Sequence, residues 1–352
     1  MKVSKVIAVA AAASMIMGSA FAEEFAFENE VSSDIVSVEK NGDETEKAFA
    51  GITEKVSAEY KSEKVDFKLE VEFDLAETDD EKKDLYLGKE GAGVSLDGYL
   101  EFRPVEMVTL GFHDYIFVDG GNLPIFDEDI PGADIGSNGF TVCLRPIEGL
   151  RLTSSVPMPA VFGDKLPLNF GVAYAYGDMF TAAAGVQNCL NDEIRSMGVF
   201  GTFNLGSVVD GFDMNLGLGF SMYENLDAAM ESLSGDLPIA AKKLLTAVVE
   251  WNNDAFEIAA EYAGDFGAEK DDAEYDQYAA LSVGVGINDM ISVSLAGSVR
   301  ADTSDAAADP LFGINPAVDF TFGNNTVSVG LDMAFSKETT GICFPVKWTY
   351  SF

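Results

Sequence analysis

Apolar and polar residues alternate along most of this chain with a period of two. The clearest case is the segment 65–75, VDFKLEVEFDL, in which every second residue is apolar and the residues between them are charged. Successive side chains of a β-strand point to opposite faces, so this pattern predicts a strand with one apolar and one charged face. A helix would mix the two sets around its circumference. The chain is therefore predicted to be all-β.

The last twelve residues, 341–352, repeat the pattern and end in aromatic side chains. The residues on the apolar face are Ile342, Phe344, Val346, Trp348, Tyr350 and Phe352. They span ten residue steps, or about 33 Å along the strand, and at a tilt of about 40° this is close to the roughly 25 Å height of the apolar band of a membrane barrel. The segment resembles the closing strand of Gram-negative outer-membrane β-barrels. The resemblance implies that Trp348, Tyr350 and Phe352 belong to a strand that the barrel-assembly machinery binds.

The first 22 residues have the features of a secretory signal peptide. Lys2 and Lys5 precede the apolar run 6–17, and Ala20-Phe21-Ala22 is an A-x-A cleavage site. The apolar run is shorter than the roughly 20 residues that a membrane helix needs. We therefore expect a signal peptide over 1–22 and a mature chain over 23–352, which can enter a membrane only as a closed barrel.

The number and lengths of the connections favour a membrane barrel over a soluble β-sandwich. The alternation gives about 18 strands, with 16 as the alternative, and single-chain bacterial barrels have an even number. Short turns alternate with long loops at 76–93, 118–138, 224–240 and 300–313, and a polar loop is also predicted over 38–46. Aromatic residues lie at both ends of the apolar face. The prediction is a transmembrane antiparallel up-and-down β-barrel in the cell outer membrane, in contact with outer-membrane lipid.

Charge and composition exclude several classes of function. The net charge is −37, and it becomes −39 when Lys2 and Lys5 are removed, so nucleic-acid binding is not expected. The three cysteines show no metal or disulfide spacing, and no cofactor or metal site is predicted. His113 is the single histidine and has no nucleophile motif near it, which argues against an enzyme.

A barrel of this strand number is too wide for side chains to fill, so its interior is predicted to be an aqueous channel. The sequence favours passive diffusion of small hydrophilic solutes, with a preference for cations because carboxylates dominate the strand residues of lumen parity. The predicted wall residues are Asp66, Lys68, Glu70, Glu72, Asp74 and His113.

The loop 118–138 is the third long loop. In porins, the family that this chain resembles, the third loop folds into the barrel and narrows the pore. The resemblance implies constriction residues at Asp127, Glu128, Asp129 and Asp134. Porins set such acids against wall arginines, whereas Arg103, Arg145 and Arg151 are predicted near the short turns. The alternative for this segment is an ordinary outer loop.

Other functions and partners stay open at the level of sequence. Small outward residues (Ala182, Ala184, Gly201) would suit contact between protomers of a homo-oligomer. A surface-exposed adhesin would display the long loops. A specific transporter of apolar molecules would need a plug segment before the first strand, and the sequence shows none.

Overall fold

A computed structural model describes most of the chain from residue 25 to residue 351. The described residues are 25–41, 44–48, 52–78, 85–87, 94–118, 122–123, 125, 128–129, 135–157, 167–191, 195–209, 213–223, 243–253, 255–266, 277–302, 309–337 and 339–351. The predicted signal peptide over 1–22 lies outside this part of the chain. Among the described residues, no helix is long and apolar enough to cross a membrane.

The described part of the chain forms an antiparallel barrel of 18 strands that closes on itself, which confirms the predicted fold class and strand number. The first nine strands are β1 (Phe25–Asn41), β2 (Glu44–Ala48 with Ile52–Lys61), β3 (Val65–Thr78), β4 (Leu85–Leu87 with Val94–Val105), β5 (Val108–Val118), β6 (Ile135–Leu144), β7 (Leu150–Pro157), β8 (Asn169–Tyr176) and β9 (Phe180–Gln187).

The second nine strands follow the same up-and-down order. They are β10 (Ser196–Asn204), β11 (Asp213–Tyr223), β12 (Lys243–Asn252), β13 (Phe256–Asp265), β14 (Gln277–Asn288), β15 (Ile291–Ala301), β16 (Leu311–Phe322), β17 (Asn325–Gly330 with Asp332–Phe335) and β18 (Thr339–Ser351). A short 3₁₀-helix, Leu205–Ser207, lies in the connection between β10 and β11.

The prediction of a polar loop over 38–46 is wrong. Strand β1 continues to Asn41 and β2 begins at Glu44, and the ladder between them runs from Ser37 opposite Ala48 to Asn41 opposite Glu44. A strand that extends beyond the bilayer has water on both faces, so it can be polar on both sides and still keep its backbone hydrogen bonds. Polar composition alone therefore did not mark a loop here.

The two faces of the sheet differ as the alternation predicts. One parity carries exposed apolar side chains, such as Leu69, Leu218 and Leu281, and the opposite parity carries most of the charged and hydroxyl side chains. In a barrel that contacts lipid, the apolar parity is the outer face. Exposed aromatic residues occur towards both ends of this face: Phe102, Tyr176, Phe256, Phe322 and Trp348 near the short turns, and Phe220, Phe335 and Phe344 near the other end.

The closing ladder lies in a unit formed by residues 1–100, 285–295 and 313–352. Strand β18 pairs with β1 from Glu28 opposite Ser351 to Asn41 opposite Thr339, with a bulge between Asp34 and Ser37. Its other edge pairs with β17. The last strand is therefore hydrogen-bonded on both sides.

A second unit, residues 101–284 and 296–312, contains the third long loop and strands β5 to β13. Its ladders are continuous from β5 paired with β6 to β12 paired with β13. Each strand pairs with its neighbour in sequence, which is the simplest antiparallel topology.

Candidate functional site

The inner face of the barrel is the candidate site, because polar side chains are concentrated there. Strand β3 supplies most of the predicted wall residues. Asp66, the second residue of this strand, accepts a hydrogen bond from the backbone amide of Ser62 (2.9 Å) and so stabilises the short turn before the strand. Glu70 forms ion pairs with Lys55 of β2 (2.6 Å) and with Lys68 (3.2 Å). These lysines reduce the free negative charge of this part of the wall.

The remaining predicted wall residues are located by the register of their strands. Glu72 is half-buried and lies opposite Lys55 in the β2–β3 ladder. Asp74 lies opposite Thr53, and His113 of β5 lies opposite Gly139 of β6. The side chains of Asp74 and His113 are outside the described part of the structure, so their orientation stays a prediction.

The predicted constriction residues fall partly on a small ladder inside the third loop. Glu128 and Asp129 pair with Leu123 and Asn122 in this two-stranded ladder. The side chains of these two acids, and all of Asp127 and Asp134, lie outside the described residues. Their role as a constriction stays a prediction.

A charged cluster lies on the inner face near the short turns. Glu101 of β4 is only 2% exposed, and it forms ion pairs with Arg103 (2.6 Å) and Arg145 (3.7 Å). Arg145 also donates a hydrogen bond to the hydroxyl of Thr109 on β5. The cluster therefore holds two guanidinium groups around one buried carboxylate, at the end of the barrel where the sequence predicts these arginines.

The third loop contacts the inner wall through Ile125. The backbone amide of Ile125 donates a hydrogen bond to Oε2 of Glu261 on β13 (2.7 Å), and the Tyr278 hydroxyl of β14 donates to Oε1 of the same carboxylate. Glu261 has the inner parity, since the outer parity of β13 is that of Ile258 and Tyr262. Ile125 therefore lies on the inner side of the wall, which favours the inward-folded alternative at this residue.

An apolar cluster surrounds this contact on the inner face of β12 to β14. Its buried members are Leu244, Val248, Ala263, Tyr278 and Ala280, and Ile125 packs against them. Apolar side chains on the wall of an aqueous channel would be exposed unless another segment covered them. This patch of wall is therefore covered, and Ile125 is part of the cover.

Sequence reasoning did not single out Glu261 or Tyr278. A signal was present in β12, where apolar residues stand on both parities as the doublets Leu244-Leu245 and Val248-Val249. A strand with apolar residues on both faces is covered on both faces. The doublets therefore indicate that the channel side of this strand is packed against protein.

Trp348 and Tyr350, two of the predicted assembly residues, lie on β18, the strand that closes the barrel between β1 and β17. The indole nitrogen of Trp348 donates to the side-chain oxygen of Asn325 (3.0 Å), and Tyr350 lies opposite Asn29 of β1. Lys347, on the opposite face, pairs with Glu30 of β1 (2.7 Å). Phe352 is outside the described residues.

The small outward residues on β9 and β10 form the floor of an apolar groove of about 600 Å³ on the outer face. Val172, Leu218 and Phe220 are among the larger side chains around it. The groove shows that Ala182, Ala184 and Gly201 produce a recessed strip on this face.

The fold is similar to those of solved outer-membrane proteins. The structure of Pseudomonas aeruginosa OccK7 (OpdD) matches with a TM-score of 0.58 and 12% identity, over 94% of this chain and 99% of that chain. The outer membrane protein OpdK of the same species matches with a TM-score of 0.56 and 11% identity, over 94% and 99%. Acinetobacter baumannii OccAB4 gives 0.56 and 6%, over 94% and 98%.

No family model and no curated sequence matches the chain. At these identities the structural similarity shows the fold alone. It confirms the resemblance to porin-type barrels of Gram-negative bacteria, and together with the apolar outer face it supports the outer membrane as the location.

Proposed function

We propose that the protein is an outer-membrane channel through which small hydrophilic solutes diffuse passively, with a preference for cations. The observation that carries the proposal is the closed barrel of 18 strands with a polar inner face. Barrels of 16 to 18 strands leave an aqueous passage, whereas narrower barrels are filled by side chains. Ile125 contacts the inner wall, and a third loop that follows it inward would reduce the width of the passage.

The cation preference is supported by the balance of charge. The chain carries 59 acidic residues against 22 lysines and arginines. A passage lined by one sign of charge concentrates ions of the opposite sign and repels the others. The lysines that pair with Glu70 weaken this effect locally, so we expect a moderate preference rather than exclusion of anions.

The first prediction is that the refolded mature protein conducts ions in a planar bilayer and prefers potassium to chloride. Under a potassium chloride gradient, the reversal potential should have the sign that cation permeation gives. The preference should weaken at high ionic strength, because salt screens the wall charges. Absence of conductance would contradict the channel, and a reversal potential of opposite sign would contradict only the cation preference.

The second prediction concerns the carboxylate of Glu101. The variant Glu101→Gln keeps the side-chain shape but removes the charge that Arg103 and Arg145 share. The local potential should become more positive, so the potassium preference should fall below that of the wild type. Glu106→Gln is the matched control, since Glu106 is exposed in the adjacent short turn and loses the same charge. Equal shifts in both variants would mean that the Glu101 cluster has no special effect on permeation.

Secretion and assembly belong to the same proposal. We infer cleavage of the signal peptide before Glu23 and recognition of the last strand, with Trp348, Tyr350 and Phe352, by the barrel-assembly machinery. The supporting observations are the A-x-A site and the position of Trp348 and Tyr350 on the strand that closes the barrel. Contact between protomers through the groove at Ala182, Ala184 and Gly201 is a further proposal, which the mass of the detergent-solubilised protein would test.

A further inference from the structure

The contact between Ile125 and Glu261 joins two distant parts of the channel. The loop leaves β5 at Val118 and returns at Ile135 on β6, whereas Glu261 lies on β13. Strand β12, which carries the nearest residues of the apolar cluster around the contact, is seven strands from β5, or about 34 Å along the wall at the usual strand spacing. Ile125 is seven residues from Val118 and can reach at most about 25 Å from it. The chain therefore has to leave its own part of the wall to make this contact.

The polar half of the contact uses both oxygens of one carboxylate. Oε2 accepts from the amide of Ile125 and Oε1 accepts from the hydroxyl of Tyr278. Hydrogen bonds to a charged acceptor are about twice as strong as those between neutral groups. Tyr278 fixes the orientation of the carboxylate, so that its second oxygen points to the loop.

Because Glu261 is buried, its carboxylate and the hydrogen bond from the Ile125 amide stabilise each other. Glu261 is 3% exposed and Tyr278 is 2% exposed, although both have the inner parity of a wide channel. A buried carboxylate is costly unless donors satisfy it, and the amide of Ile125 is one of those donors. Withdrawal of Ile125 would remove that donor, and removal of the carboxylate would leave the half-buried amide of Ile125 without this acceptor.

The apolar half of the contact surrounds the polar half. Ile125 packs on the cluster that contains Leu244, Val248 and Ala263. Apolar burial gives affinity without direction, whereas the two hydrogen bonds to Glu261 select one position of the backbone. The apolar packing and the hydrogen bonds together hold Ile125 at one position on the wall.

We propose that Glu261 and Tyr278 form a latch that holds the third loop at Ile125 against the inner wall, and that Glu261 is thereby a positioning residue for the width of the passage. The role of Glu261 in setting the width rests on the proposed channel function, whereas the latch itself does not. The latch assigns a role to two wall residues that lie far from the loop in sequence and touch it only in the folded barrel.

The latch is tested by the accessibility of the wall beneath Ile125. Ala263 is fully buried in the cluster, so a cysteine at this position should react slowly with a small charged methanethiosulfonate. The experiment uses Ala263→Cys in a full-length mature background that carries Cys143→Ala, Cys189→Ala and Cys343→Ala. Glu261→Gln is then added, because it keeps the side-chain shape, removes the charge and leaves only one oxygen to accept.

We expect Glu261→Gln to raise the labelling rate by about tenfold or more, since loss of a hydrogen bond to a charged acceptor changes a local equilibrium by at least that factor. Tyr278→Phe should give a smaller rise in the same direction. Glu250→Gln is the matched control, because Glu250 is an exposed inner-face carboxylate of β12, and it should leave the rate unchanged. Equal rates in all variants would overturn the latch.

Single-channel conductance of the same proteins separately tests the role of Glu261 in setting the width of the passage. If the latched loop narrows the passage, Glu261→Gln should show a larger or noisier single-channel conductance than Glu250→Gln. Faster labelling with an unchanged conductance would overturn the role of Glu261 in setting the width. A wild-type barrel that does not conduct would overturn the channel function, and the labelling rates would still decide the latch. If Glu261→Gln does not fold, as judged by heat-modifiable migration in gels, Tyr278→Phe provides the same test.

Discussion

Deletion of the last strand, residues 339–352, is expected to abolish folding of the barrel. Strand β18 pairs with β1 on one edge and with β17 on the other, so its loss exposes two strand edges. Unpaired amides and carbonyls cannot be solvated in lipid, and an open sheet edge is not stable there. The truncated protein should show neither heat-modifiable migration in gels nor β-sheet circular dichroism after refolding into vesicles.

The control for this deletion removes a side-chain contact of the same strand and keeps the ladder. Lys347→Gln breaks the ion pair with Glu30 (2.7 Å), but the register from Glu28 opposite Ser351 is unchanged. Partly exposed ion pairs contribute about 0–1 kcal/mol, so this variant should still fold. Folding of the deletion variant would show that backbone closure through β18 is not what stabilises the barrel, and failure of Lys347→Gln would show that the ion pair with Glu30 contributes more than expected.

The sequence predicts those parts of the fold in which contact with lipid requires apolar residues at regular positions. Between two water boundaries, every second residue of a strand has to be apolar, so β3 can be recognised from the pattern of residues 65–75. The short turns joining the strands are similarly visible, because they need residues with turn conformations. At Gly177 and Gly323 the backbone has positive φ angles, as expected for such turns.

The predictions from sequence fail at positions where contact with lipid does not determine the residue type. Residues 38–46 look like a loop because they are polar, but residues 38–41 and 44–46 extend β1 and β2 beyond the bilayer, where backbone pairing needs no apolar face. Glu54 is a second exception. It has the outer parity of β2, opposite Phe73, yet it is fully buried and accepts a hydrogen bond from Asn29 (3.1 Å). The period of two gives no indication that a carboxylate is shielded at that position.

The candidate site is less predictable than the fold, because its contacts join residues that are distant in sequence. The pairing of Glu70 with Lys55 was accessible in principle, since adjacent strands bring their inner residues together. The contact of Ile125 with Glu261 was not, because neither residue has a local motif. Only the apolar doublets of β12 indicate that something covers the inner wall there.

Arginine at Leu281 is expected to destabilise the barrel far more than arginine at the neighbouring Ser282. Leu281 is 54% exposed near the middle of β14 and has the outer parity, so its side chain would contact hydrocarbon. Ser282 has the inner parity and is half-buried two residues beyond Ala280, so a longer polar side chain there points towards the lumen and not into lipid. An arginine on the lipid face near the bilayer midplane costs about 2–4 kcal/mol, whereas lumen substitutions mainly alter selectivity.

Equilibrium unfolding by guanidinium in lipid vesicles measures the difference directly. Leu281→Arg should lower the free energy of unfolding by about 2–4 kcal/mol relative to the wild type. Ser282→Arg should leave it nearly unchanged and shift the reversal potential towards anion permeation, because it adds a positive charge to the passage. The two variants carry the same new side chain one residue apart, so propensity and net charge are matched and only the face differs. If the two positions were equally tolerant, or if Ser282→Arg were the more damaging change, the outer face would not be the apolar one, and both the membrane barrel and the channel inside it would have to be abandoned.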